Sequence, residues 1–151
     1  AAQYRNSAAA HGWRRLEAAA MAFDGVAPRL SGPAADTLDD VRYSQGALRD
    51  LAEQIRGVEK SLAVTPPDRR GSLTETHALM VERFETGISA YEDMVGAAAQ
   101  VVAEQGALDG VVSGEDPTMS RLNEATAKLS GLAEGIGQMR EFHTGVNRPP
   151  E

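Results

Sequence analysis

The chain has 151 residues, 25% of them charged, with a formal net charge of −7, a pI near 5.0 and no cysteine. That length suits one domain, residues 1–151. The negative balance disfavours direct binding to nucleic acid, and without cysteine there are no disulfides, thiolate metal ligands or cysteine nucleophiles.

The first helix is predicted over residues 3–26, where Ala9, Trp13, Leu16, Ala20 and Phe23 recur at helical spacing and Trp13 is the expected anchor. The run from Ala27 to Pro33 breaks it. Ser31 or Gly32 is then placed to cap a second helix over residues 33–63, with Pro33 in its first turn and Asp36, Asp39 and Asp40 where the helix dipole favours negative charge. Its inner stripe is Val41, Ser44, Leu48, Leu51, Ile55, Val58 and Leu62. Arg42, Arg49, Asp50, Glu53, Arg56 and Lys60 lie opposite, as a solvated face.

Pro66 and Pro67 bar continuation of that helix, and Ser72-x-x-Glu75 offers a capping box for a third over residues 72–104. Its seam is Leu73, His77, Met80, Phe84, Tyr91, Met94, Ala98 and Val101, widened by Val81, Ile88, Val95 and Val102. A stripe this broad implies contact with more than one neighbour. A glycine-rich acidic connection over residues 105–117 exceeds the usual bundle loop and is expected to be mobile. Asp116 and Pro117 would open a fourth helix over residues 117–143, and the tail at 145–151 is expected to fray.

The fourth helix reads as a heptad, with Leu122, Ala125, Leu129, Leu132, Ile136 and Met139 at alternating spacings of three and four. These seams must bury against one another, so the fold class is all-α: an antiparallel bundle of about four long helices with coiled-coil-like seams. Aromatics make up only 5% of residues, so small side chains must replace aromatic bulk in a thin, elongated core. Glycines at 46, 57, 87, 96, 131, 135 and 137 interrupt the helices, each at a cost of roughly 1 kcal/mol against alanine. Close backbone approach between helices is the expected reason, and the fourth helix should be the softest element.

Metal, cofactor and catalytic chemistry find little support. Di-iron bundles need Glu-x-x-His on two helices, whereas Glu75 and Glu141 stand two residues before His77 and His143 and point away from them. His11, His77 and His143 could meet only through tertiary folding. His77, with Met80 nearby, is the sole candidate axial ligand for a haem, and a core or boundary histidine is the expectation. The methionines at 80, 94, 119 and 139 read as gap-filling core, with Met21 nearer an edge. No nucleophile-and-base or phosphate-loop motif occurs. The sequence therefore nominates no catalytic, cofactor-binding or metal-ligating residue and no partner-binding residue, and the chain is expected not to be an enzyme. Arg14-Arg15 and Arg69-Arg70 read as solvated helix or turn ends.

No stretch reaches the roughly 18 to 20 apolar residues of a bilayer span; the longest candidate, Met94 to Ala103, is interrupted by Gly96 and Gln100. The chain opens Ala1-Ala2-Gln3 without methionine, which leaves room for an upstream membrane anchor or signal peptide.

Three stretches carry a family resemblance: Trp13-x-x-Leu16 in an alanine-rich first helix, the Leu48 to Leu62 helix with Val58-Glu59-Lys60, and Gly87-Ile88-Ser89-Ala90-Tyr91-Glu92-Asp93-Met94-Val95-Gly96-Ala97-Ala98-Ala99. Glu124-Ala125-Thr126-x-x-Leu129-x-x-Leu132-Ala133 fits the same pattern. Nearly the whole chain thus resembles the C-terminal region of actinobacterial phage-shock protein M. The resemblance implies a membrane-anchored regulator of envelope stress at the cytoplasmic face of the inner membrane, partnered by the coiled-coil effector phage-shock protein A.

The leading expectation is a non-enzymatic interaction or adaptor domain, since helices recognise helices through groups at i, i+3, i+4 and i+7. The alternative is a small-molecule sensor or carrier with an apolar pocket near Trp13, Phe84 and Tyr91. A homo-oligomerisation domain is a third possibility.

Overall fold

A computed structural model describes residues 4–107 and 117–146, with side chains over 4–105 and 117–137. Among these residues there are four α-helices and no strand: α1 Ala10–Val26, α2 Leu38–Val64, α3 Gly71–Ala107 and α4 Pro117–Val146. The all-α fold is therefore as expected. The connection is helical through Ala107, and α4 continues past residue 143 to Val146. Asp116 and residues 108–116 and 147–151 lie outside the described residues.

The helix starts depart from expectation. Residues 4–9 are not α-helical; they fold as turns, with Ser7 N–H donating to Tyr4 O and Ala10 N–H to Ser7 O, so α1 begins at Ala10. The second helix is entered through a 3₁₀ segment, Gly32–Thr37, preceded by Ser31 in extended backbone with no side-chain cap. Gly32 holds φ +59°, a left-handed conformation that glycine adopts without a Cβ penalty. Thr37 then bonds back to Ala34 O, and the α-helix proper starts at Leu38 with Asp39 and Asp40 in its first turn. The expected capping box does not form, because α3 starts at Gly71 and Ser72 is already inside the first turn.

At the α2–α3 turn, Thr65 is extended at ψ 131°, the backbone that a following proline demands. The turn is closed by Arg70 Nε donating to Thr65 O at 2.7 Å and Thr65 Oγ1 to Ser61 O at 2.6 Å.

Contacts between helices give their directions. Leu48 meets Gly87 and Glu59 meets His77, so α2 and α3 run antiparallel. Thr118 bonds Glu104 and Arg121 bonds Gln100, so α3 and α4 are antiparallel as well. Gly12 meets Phe84 and Ile88 while Arg15 meets Ser89 and Glu92, so α1 and α3 advance together. Helix α3 packs against all three others; α2 and α4 share a long contact, whereas α1 barely touches α2. All four helices share one core, in which the shorter α1 lies against α3 and the turns before it are bonded to α2.

This topology explains the breadth of the α3 stripe. Phe84, Gly87, Ile88, Ala90, Tyr91, Met94, Val95, Ala97, Ala98 and Val101 are all buried. On α4 the buried set is Thr118, Leu122, Thr126, Leu129, Ala133 and Ile136, with Ala125 and Leu132 only half-buried. The strict heptad thus gives way to a face closer to the 3.6 period of a straight helix, and the side chain of Met139 lies outside the described residues.

The glycine expectation is met at few positions. A Cβ on Gly87 would stand 2.5 Å from Leu48 Cδ2, and one on Gly137 would lie 3.2 Å from the Tyr43 hydroxyl. Gly46, Gly57, Gly96, Gly131 and Gly135 face open space. A close α1–α3 approach lies instead at Gly12, where a Cβ would meet Phe84 Cε1 at 2.7 Å and Ile88 Cδ1 at 2.8 Å.

Candidate functional site

One carboxylate knits the end of the bundle where α1 begins and α2 turns into α3. Glu59 on α2 accepts from Ser7 Oγ at 2.5 Å and from the Ala8 N–H at 2.9 Å, and pairs with His77 Nε2 of α3 at 2.9 Å. Burial pushes its pKa up, but the hydrogen bonds from Ser7, Ala8 and His77 outweigh that and hold the carboxyl below its ordinary value. Beside it, Tyr4 is fully buried; its ring stacks on Trp13 at 4.6 Å and its hydroxyl donates to Glu53. The indole Nε1 of Trp13 is buried without a partner.

A second polar joint fastens α1 to α3. Arg15 Nε donates to Glu92 Oε2 at 3.2 Å, and its terminal nitrogen reaches the other Glu92 oxygen and Ser89 Oγ. The hydrogen bond to Glu92 raises the arginine pKa, with burial opposing. Arg15 thus does structural work that the sequence assigned to solvent, whereas Arg14 and Arg69 are exposed as expected.

The third feature is an open groove of about 310 Å³ between α2 and α4. Its walls include Arg42, Tyr43, Asp50 and Gln54, and its small-residue lining is Gly46, Ala47 and Gly137. Tyr43 on the rim is 55% exposed, unusual for so large a side chain.

The remaining sequence candidates scatter. His11 is exposed, His77 is a half-buried boundary residue bonded to Glu59, and the side chain of His143 lies outside the described residues. Among the described residues no three histidines or carboxylates are grouped to hold a metal ion, and no helix is long and apolar enough to cross a membrane. Met80 and Met94 are buried, Met119 is half-buried and Met21 is exposed.

Phe84 fills the space over Gly12, Trp13 is covered by Tyr4, and Tyr91 packs edge-on to Phe23 at 6.5 Å. None of those three expected pocket residues lines the α2–α4 groove. Burial pushes the Tyr91 hydroxyl up to about 12, with the Asp24 charge adding to it and Arg49 opposing.

Glu59, Glu92, Gly12 and Tyr43 were not foreseen as joints or rim. Gly12 alone carried a signal: it sits in the buried interval between Ala9 and Leu16 where an alanine would otherwise be unremarkable.

A family match covers residues 3–139, from the turns before α1 into the last third of α4. The chain belongs to the Rv2743c family. This is an actinobacterial family, found in mycobacteria. No curated protein and no solved structure matches the chain. The Rv2743c match therefore takes in the Glu59 joint, the Arg15–Glu92 joint and every residue named on the groove.

Proposed function

We propose that this Rv2743c-family domain is a non-enzymatic adaptor: a helical module that binds a coiled-coil partner at the membrane and regulates an envelope-stress response of the phage-shock type. The observation that carries the reading is the α2–α4 groove. A gap between helices, lined by Gly46, Ala47 and Gly137 and edged by an exposed tyrosine, is shaped to take side-chain ridges from another helix. Its volume of about 310 Å³ is at the low end for small-ligand pockets. Exposed tyrosine on a groove rim suits a binding anchor.

The resemblance to phage-shock protein M supplies the partner's identity, a phage-shock protein A-like coiled coil, and an anchor outside this segment supplies the membrane placement. The carrier alternative has less support, since Trp13, Phe84 and Tyr91 are packed by Tyr4, Gly12 and Phe23.

The test uses a photo-crosslinking amino acid in place of Tyr43 and a purified phage-shock protein A-like partner on vesicles. A specific cross-link at that position, lost on competition with unlabelled domain, is the expected result. Absence of any cross-link, with no binding by the unmodified domain, would refute the adaptor reading.

A further inference from the structure

The residues before α1 form a strap that is tied to the bundle by hydroxyl-to-carboxylate bonds. Tyr4 donates to Glu53 and Ser7 Oγ to Glu59 Oε1 at 2.5 Å, while the Ala8 N–H and His77 Nε2 bind the other Glu59 oxygen. Within the strap, Ser7 Oγ accepts from the Ala9 N–H at 3.1 Å. Closure stacks Tyr4 on Trp13, whose indole N–H is left buried and unpaired, a cost that works against the closed state. A short segment held by a few polar bonds belongs to the low-stability end of a fold. None of these residues lines the α2–α4 groove, so the strap is a feature separate from it.

A hydroxyl that faces a carboxylate is sensitive to added negative charge. Tyr4 and Thr118 meet Glu53 and Glu104 in this way, but they are only 1% and 6% exposed. Ser7 is half-buried, sits in a turn rather than a helix, and has Arg5, Asn6 and Ala8 exposed around it. Arg5, two positions earlier, offers a cation to the acidic subsite of a modifying enzyme.

We propose that Ser7 is a phosphorylation site, and that its modification by an ATP-dependent, arginine-directed serine kinase releases the strap from α2. The Ser7 oxygen attacks the γ-phosphorus of ATP, the bond from that phosphorus to the β–γ bridging oxygen breaks, ADP leaves, and the serine proton passes to the kinase. The phosphate brings a charge of about −1.5 to −2 and replaces a hydrogen-bond donor with acceptors. Against the Glu59 carboxylate this turns an attraction into a repulsion. The Ala9 N–H and the N-terminus of α1 still favour an anion, and that contact does not need α2. Release at Ser7 takes Tyr4 with it, three residues away, and uncovers Trp13, Glu53 and Glu59.

The experiment uses the full chain. Incubation with Mg·ATP and an arginine-directed serine kinase should place phosphate on Ser7, read by peptide mass spectrometry. In a chain carrying phosphoserine at position 7 from translation, the Ala8 amide should exchange at least tenfold faster than in a Ser7→Ala chain, which loses the hydrogen bond but gains no charge. Emission from Trp13, the one tryptophan of the sequence, should shift to the red while α2 and α3 keep their protection. Glu59→Gln separates repulsion from simple loss of contact. It should speed Ala8 exchange in the unmodified chain and slow it in the phosphorylated one, where it removes the opposing charge.

Phosphate transferred to other residues with Ser7 left untouched would overturn the proposal. So would a phosphorylated strap as well protected as the unmodified one, as when Arg5 or His77 captures the phosphate. An effect no larger than that of Ser7→Ala, or Glu59→Gln speeding exchange in both forms, would overturn it too.

Discussion

Glu59 shows how much one side chain does at the α1 end of the bundle. Its two oxygens receive Ser7, the Ala8 N–H and His77, joining the residues before α1 to both α2 and α3. Bonds to an ionised group are worth about 1.5–3 kcal/mol where they are made, but this group is partly solvated, which discounts them. Glu59→Gln is therefore expected to destabilise the protein by about 1–2 kcal/mol, seen as a lower midpoint in urea at neutral pH. The folded pKa lies below the unfolded one, so the stabilisation is complete above the ordinary carboxylate range and is lost as pH falls through the folded value. The gap between the two proteins should accordingly close in acid; a gap that widened there would contradict the assignment.

Tyr91 works in the opposite direction along the pH scale. Its pKa, raised to about 12 by burial, means that the neutral phenol is what the folded core holds. Stability from this group is full below the unfolded value of about 10 and declines as pH rises toward 12. Tyr91→Phe should flatten the alkaline limb of the stability curve and remove the corresponding absorbance step from a spectrophotometric titration.

At the scale of elements, the glycines divide by what their missing Cβ would touch. Gly87 lies against Leu48, which is itself 1% exposed and has little room to yield. Gly87→Ala is expected to cost about 1–3 kcal/mol through overpacking, whereas Gly57→Ala and Gly96→Ala, in open helix positions, should each gain up to about 1 kcal/mol. Chemical denaturation of the three variants checks both signs at once. Similarly, Gly12→Leu would wedge α1 from Phe84 and Ile88, and the expected signature is faster hydrogen exchange in α1 while the α2–α3 hairpin keeps its protection.

At the scale of the whole molecule, α3 sets the dimensions. Its 37 residues span about 55 Å at 1.5 Å per residue. A compact chain of 151 residues would have a radius of gyration of about 15 Å. Solution scattering should return a larger value, with a maximum dimension no shorter than α3 itself. A radius at or below the compact figure would be incompatible with three long helices lying side by side.

The number and sense of the helices were legible because apolar spacing and proline breaks are local signals. Val41 to Ile55 and Phe84 to Val101 are buried as their periods require, and Pro66–Pro67 ends α2 where steric exclusion before proline says it must. The candidate sites were far less legible. Period alone does not reveal that Arg15 meets Glu92 across 77 positions, or that Glu59 gathers Ser7 from 52 positions away. Nor does it distinguish the tightly packed Gly87 from the open Gly131, because both are simply glycines within helical stretches.

Sequence by itself determined that these residues form an all-α chain with apolar stripes to bury, since each stripe follows from the pitch of a single helix. Only the tertiary structure decided which stripes meet. It laid α1 on α3 and left a gap between α2 and α4, because helix order, crossing and closeness depend on side chains far apart in the chain being brought together.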